Sequence, residues 1–139
     1  MGAARGRAIV LAGAGGSDTS DVIRRARSAH DAGADGILSV SPAYNKPSQR
    51  GLIAHYRALA DAVACPVVIY NVPGRTASNV MPDTVLALAE VENIAGVKEA
   101  SGNVDQVMTL LRQRPDGFSV LSGDDSPTLP RLAAGSDGV

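Results

Sequence analysis

Short apolar runs of strand length alternate with stretches of helical period along the whole chain. This alternation restricts the fold more than any other feature. Ala8 to Gly13 (AIVLAG), Asp35 to Val40 (DGILSV), Pro66 to Tyr70 (PVVIY), Ile94 to Lys98 (IAGVK) and Phe118 to Ser122 (FSVLS) read as strands. The intervening segments carry apolar side chains on one helical face: Val22, Ile23, Ala26 and Ala29 in the first, and Leu52, Ile53, Tyr56, Leu59, Ala60 and Val63 in the second. Weaker stripes follow with Val85, Leu86 and Leu88, then Val104, Val107, Met108 and Leu111, then Leu129, Leu132 and Ala133. The punctuation agrees. Gly33 and Gly135 stand where helices end, Ser48 can cap the second helix, and Pro82 suits the first turn of the next. Ser126-Pro127 opens the last helix, and Asp137 to Val139 begins a sixth strand.

Alternating short strands and helices imply a parallel sheet with helical crossovers, an α/β fold. Two architectures satisfy this pattern, a doubly wound sheet and a (β/α)8 barrel. A complete barrel needs about 250 residues. The 139 residues here therefore make one domain and, if a barrel, only part of one. At 45% hydrophobic and 19% charged, the chain is globular rather than disordered. Its net charge of −1 offers no footprint for nucleic acid, and no apolar run approaches a membrane span. The single cysteine, Cys65, excludes an internal disulfide, fits a reducing compartment and, with no signal-peptide pattern, leads us to expect a cytoplasmic protein.

The basic residues are eleven Arg and only two Lys, Lys46 and Lys98. Lys98 closes a strand that is otherwise Ile-Ala-Gly-Val. In parallel α/β folds the chemistry gathers at the C-terminal ends of strands. A lysine there enters a low-dielectric environment that disfavours its ammonium form, and a neutral amine is the nucleophile for Schiff-base chemistry. The plainer alternative is a strand-end lysine reaching solvent. Tyr70 closes the preceding strand and should lie beside Lys98, where a phenol can shuttle protons. Arg75 follows on a loop at the same end, where its planar fork suits a carboxylate. Tyr44 lies in the Pro42–Pro47 loop after the second strand, again at that end. Each of these residues also has an ordinary surface role open to it.

Other candidates read as structural. Gly13 to Asp18 lacks the third glycine of a dinucleotide fingerprint, so a glycine turn with a helix cap is expected. Asp124 and Asp125 are expected to cap the following helix. His30 and His55 are placed on helix surfaces, Glu99 points away from Lys98, and Cys65 sits at the wrong end of its strand for catalysis.

The stretches SPAYNKPSQRG (Ser41 to Gly51), VIYNVPGRT (Val68 to Thr76), GVKEASGN (Gly96 to Asn103) and LSGDD (Leu121 to Asp125) closely resemble the dihydrodipicolinate synthase family, pyruvate-dependent class I aldolases. The resemblance implies a partial (β/α)8 barrel, from about the third strand to the start of the eighth. It implies an enzyme of lysine and diaminopimelate biosynthesis that joins pyruvate to L-aspartate 4-semialdehyde, without metal or nucleotide, through a covalent pyruvate imine. By position, Lys98 is similar to the imine-forming lysine and Tyr70 to the proton-relaying tyrosine. Tyr44 resembles the tyrosine that crosses into a neighbouring subunit, and Arg75 the arginine that binds the semialdehyde carboxylate. Sister aldolases acting on sialic acid or 2-keto-3-deoxy sugar acids, and an inactive barrel fragment, are the alternatives. The resemblance also implies a homotetramer, built as a dimer of dimers. Ala43 and Asp21 depart from the family's lysine-feedback pattern and argue against such feedback. Met1 to Arg7 fits no family strand, and a truncated or misassigned start is expected there.

Overall fold

Five strands form one parallel sheet in the order β1-β2-β3-β4-β5, with every strand hydrogen-bonded to the next in sequence. The strands are β1 (Leu11–Gly13), β2 (Gly36–Val40), β3 (Val67–Asn71), β4 (Ile94–Glu99) and β5 (Ser119–Ser122). The helices are α1 (Thr19–Asp31), α2 (Gln49–Ala60), α3 (Pro73–Thr76), α4 (Pro82–Ala89), α5 (Val104–Gln113) and α6 (Thr128–Ala133). The structure, a computed structural model, describes residues 3, 4 and 6–139. The expectation for Met1 to Arg7 lies partly outside the described residues.

The strand order decides between the two architectures. A doubly wound sheet reverses its order at a switch point. This sheet advances by one neighbour at every crossover, as the wall of a (β/α)8 barrel does. The sixth strand begins as expected. Leu121 bridges Gly138 in parallel, and Ser122 N donates to the Gly138 carbonyl at 2.8 Å.

One face of the sheet carries the core. Ile37, Val67, Ile69, Val97 and Val120 are each fully buried there. Val22 and Ala26 from α1, Leu52, Tyr56 and Leu59 from α2, Val85 and Leu88 from α4, and Val107 and Leu110 from α5 cover them. Burying each large aliphatic side chain contributes about 1.5–3 kcal/mol, so this face holds the fold together. Tyr56 adds a directional tie, its hydroxyl donating to the Ser39 carbonyl at 3.1 Å. Burial in this core pushes the Tyr56 phenol well above the usual tyrosine range.

The helix ends follow local rules. Ser48 accepts from Gly51 N at the start of α2, and Pro82 occupies the first turn of α4. Gly33 and Gly135 take positive φ, 89° and 106°, just past α1 and α6. The glycine turn between β1 and α1 has a steric cause. A Cβ on Gly15 would stand 2.2 Å from Val40 Cγ1. Asp18, in place of a third glycine, caps α1 by accepting from Asp21 N. Four expectations need correction. The segment after β3 is a turn of helix, α3, because Pro73 presets its φ and Ala77 N closes it onto the Pro73 carbonyl. Asp124 and Asp125 cap nothing, since α6 begins after Pro127 without a side-chain cap. In α5 the buried side turns Gln106, Val107 and Leu110 inward and leaves Val104 and Met108 exposed. In α6, Leu129 and Leu132 face outward while Arg131 is buried.

Candidate active site

Parallel pairing sets Tyr70 of β3 directly opposite Lys98 of β4, at the C-terminal ends of both strands. Both side chains leave the sheet on the face away from the helices, and both are half-buried. Lys98 Nζ lies 5.4 Å from the centroid of the Tyr70 ring, a cation–π distance. Gly96 precedes Lys98 on this face. A Cβ there would stand 2.5 Å from the Ser119 carbonyl, so only glycine lets β4 and β5 approach so closely.

Tyr70 also lines a groove of about 370 Å³ over the ends of β1, β2 and β3, together with Tyr44, Arg75, Val40 and Thr76. Three of the four candidates thus share one concavity, and the fourth stands across the ladder from Tyr70. A wider hollow of about 640 Å³ lies over β4 and β5, lined by Ser101, Gly123, Asp124 and Asp125 among others. The α3 turn borders both, with Gly74 on the hollow and Arg75 on the groove.

Tyr44 is 89% exposed. Its φ is +69°, and Lys46 shares the left-handed region at +44°. Non-glycine residues hold such values only where neighbours over-determine them. Here Tyr44 N donates to the Thr76 carbonyl at 3.2 Å, Ser17 Oγ to the Ala43 carbonyl at 2.7 Å, and Asn45 Nδ2 to the Ser17 carbonyl at 3.2 Å. The loop is therefore pinned with its tyrosine ring in solvent. Lys46 is exposed, away from any strand end.

Behind Lys98, on the covered face, lies a polar network that sequence reasoning missed. Glu99 is fully buried and pairs with Asn71 across the ladder. Its carboxylate accepts from Asn71 Nδ2 at 2.9 Å, Gln106 Nε2 at 3.0 Å and Ser101 N at 2.7 Å. Its main-chain carbonyl accepts from Gly123 N at 2.8 Å and Arg131 Nη1 at 2.7 Å. Alternation along β4 did place Glu99 opposite to Lys98. Nothing local marked Asn71, Gln106 and Arg131 as its partners. His55 is likewise no surface residue. It is 5% exposed, with Nδ1 2.8 Å from Thr19 Oγ1, and its burial lowers its pKa below the ordinary histidine value.

Among the described residues, no group of three or more His, Cys, Asp or Glu is placed to hold a metal ion. No helix of the described residues is long and apolar enough to cross a membrane.

Successive parallel strands, with a lysine, two tyrosines and an arginine gathered at their C-terminal ends, define part of a (β/α)8-barrel enzyme. The sequence model of the dihydrodipicolinate synthetase family matches residues 1–139, and the chain belongs to that family. It is 52% identical to the 4-hydroxy-tetrahydrodipicolinate synthase of Salinibacter ruber, across 100% of this chain and 46% of that protein. It is 56% identical to the synthase of the same name from Prosthecochloris aestuarii, across 94% and 44%. The crystal structure of dihydrodipicolinate synthase from Aquifex aeolicus superposes with a TM-score of 0.95 at 46% identity, covering 98% of this chain and 47% of that one. A dihydrodipicolinate synthase from Bacillus anthracis gives a TM-score of 0.97 at 40% identity, covering 99% and 47%. The chain spans about half the length of the relatives it matches.

Proposed function

We propose that this chain forms the catalytic wall of a lyase that condenses pyruvate with L-aspartate 4-semialdehyde through a Schiff base on Lys98. The observation that carries the reading is the pairing of Lys98 and Tyr70 at adjacent strand ends, with Nζ 5.4 Å from the phenol ring. In its neutral form the Lys98 amine attacks the ketone carbon of pyruvate. The resulting carbinolamine loses water to give the imine, and the Tyr70 hydroxyl carries protons between nitrogen and the departing oxygen. Loss of a proton from the pyruvate methyl gives an enamine. Its carbon then adds to the aldehyde carbon, and the amine of the second substrate attacks the imine carbon, closing the ring as the bond to Nζ breaks and Lys98 leaves as the free amine.

Arg75 supports the choice of aldehyde. Its guanidinium stands on the rim of the groove that holds Tyr70, where it is suited to a substrate carboxylate. That position favours an acidic aldehyde over the sugar aldehydes of related aldolases. Tyr44, pinned by its loop yet exposed, suits a ring that enters the site of a neighbouring subunit in a homotetramer. The mechanism asks for no metal or nucleotide cofactor, and a cytoplasmic setting agrees with one unpaired, buried cysteine.

Reductive trapping tests the assignment, with the two lysines as an internal control. In a complete barrel carrying this sequence, pyruvate with borohydride should attach a three-carbon label to Lys98 and leave Lys46 unmodified. Lys98→Ala should abolish the label, and Tyr70→Phe should slow it without removing it. A label on Lys46 alone, or one that survives Lys98→Ala, overturns the reading.

A further inference from the structure

Arg131 is the largest fully buried side chain in the described molecule, 1% exposed on a six-residue helix whose leucines face outward. A buried guanidinium is retained only where hydrogen bonds replace the water it has lost. The nearest carboxylate is Asp124, whose Oδ2 is 3.4 Å from Nη2 and is itself part-exposed. The shortest bond runs instead to a main-chain atom. Nη1 donates to the Glu99 carbonyl at 2.7 Å, with Ser122 Oγ at 3.1 Å. Nε has no partner. The charge is aimed at the last residue of β4, one position beyond Lys98.

The Glu99 peptide closes β4, and polar partners converge on it. Its carbonyl is shared between Arg131 and Gly123 N, and its carboxylate is held by Asn71, Gln106 and Ser101 N. On its other side Lys98 adjoins Val97, fully buried in the core. The main chain on both flanks of Lys98 is therefore clamped from the covered face. The Lys98 side chain itself emerges on the open face, with the Tyr70 ring as its recorded neighbour. The backbone fixes where the Lys98 Cα and Cβ stand, and so the origin from which Nζ reaches toward Tyr70.

We propose that Arg131 is a positioning residue for Lys98, holding the C-terminal end of β4 so that the amine faces Tyr70 at a fixed distance. The proposal rests on the reading of Lys98 as the imine-forming amine. A purely structural arginine would be replaceable by an apolar side chain of similar length, because buried ion pairs often add little net stability over such a side chain. A positioning arginine would not, because rates of reaction between held groups fall steeply with small displacements.

The test uses a complete barrel carrying this sequence and compares Arg131→Met with the parent, well below the melting temperature of either. The readouts are the first-order rate of borohydride trapping at saturating pyruvate and the pyruvate concentration that half-saturates it. Arg131→Met should slow trapping about tenfold. It should shift half-saturation by less than about twofold, since Arg131 is argued to act through the strand rather than on pyruvate. Arg131→Lys, which keeps one donor for the Glu99 carbonyl, should recover part of the rate. If Arg131→Met does not fold, Arg131→Gln takes its place, with a polar end two bonds short of Nη1. A folded variant that traps at the parent's rate overturns the proposal. Loss of fold in both variants also overturns it, because a residue the fold cannot lose has no positioning role separable from holding the fold together. Failure of the parent to trap pyruvate on Lys98 would instead strike the imine reading, and so is told apart from failure of Arg131.

Discussion

Lys98 and Glu99 are neighbours on one strand, and the two faces of the sheet treat them in opposite ways. Glu99 lies under the helices with three hydrogen bonds to its carboxylate and two to its carbonyl. Lys98 stands on the bare face, half-buried beside one aromatic ring. The same contrast separates Asn71 from Tyr70 on β3, since Asn71 is fully buried and bonded to Glu99, Val80 and Asn79. The polar bonding capacity is thus concentrated behind Lys98 and Tyr70, the pair proposed to react. A group that must change its bonding partners during a reaction cannot be locked by them, whereas the backbone that carries it can.

The first way to break this comparison is to truncate both members of the pair. Glu99→Ala removes a buried acceptor shared by Asn71, Gln106 and the Ser101 amide and should cost about 3–5 kcal/mol. Lys98→Ala removes a half-exposed side chain without a hydrogen bond in this structure and should change stability by no more than about 0.5 kcal/mol. Urea unfolding midpoints of the two variants check both values. Equal losses would show that the two faces are not distinct in the way described.

A second comparison uses apolar residues of the two faces. Ile69→Ala on the covered face removes a fully buried side chain and should cost about 2–5 kcal/mol. Leu38→Ala on the bare face, half-buried, should cost about 1 kcal/mol or less where its methyl groups still meet solvent. A cost for Leu38→Ala approaching that for Ile69→Ala would show that the bare face is covered in solution.

The smallest effect concerns the helix layer. Burial holds the folded-state pKa of His55 below its unfolded value near 6.5. Below that value the unfolded chain takes up a proton that the folded chain resists, so stability should fall as pH drops from about 6.5 toward the lower folded value. His55→Gln should flatten this slope while leaving stability above neutral pH little changed. Thermal unfolding from pH 7.5 to 5 reads the difference, and an unaltered slope would assign the acid sensitivity elsewhere.

Local pattern carried much of this molecule. Apolar runs of strand length and the 3.6-residue period located five strands and most helices, because both signals lie within short stretches of chain. The cap at Ser48, the first-turn proline Pro82 and the positive-φ glycines after α1 and α6 were legible for the same reason. So was the strand-end position of Tyr70 and Lys98. The motifs around them carried the family.

Other features depended on contacts between distant segments. Strand order decided for the barrel wall over a doubly wound sheet, and order is a choice of neighbours that no single βα unit encodes. Arg131 looked like any surface arginine because α6 shows its leucines in sequence while burying the residue between them. His55 was misjudged in the same way, and nothing in the sequence marked Gln106 for burial. Their burial is set by Thr19 of another helix and by Glu99 of a strand. A polar side chain is tolerated inside only where distant partners meet its hydrogen bonds, and only the assembled sheet and helices bring those partners within reach.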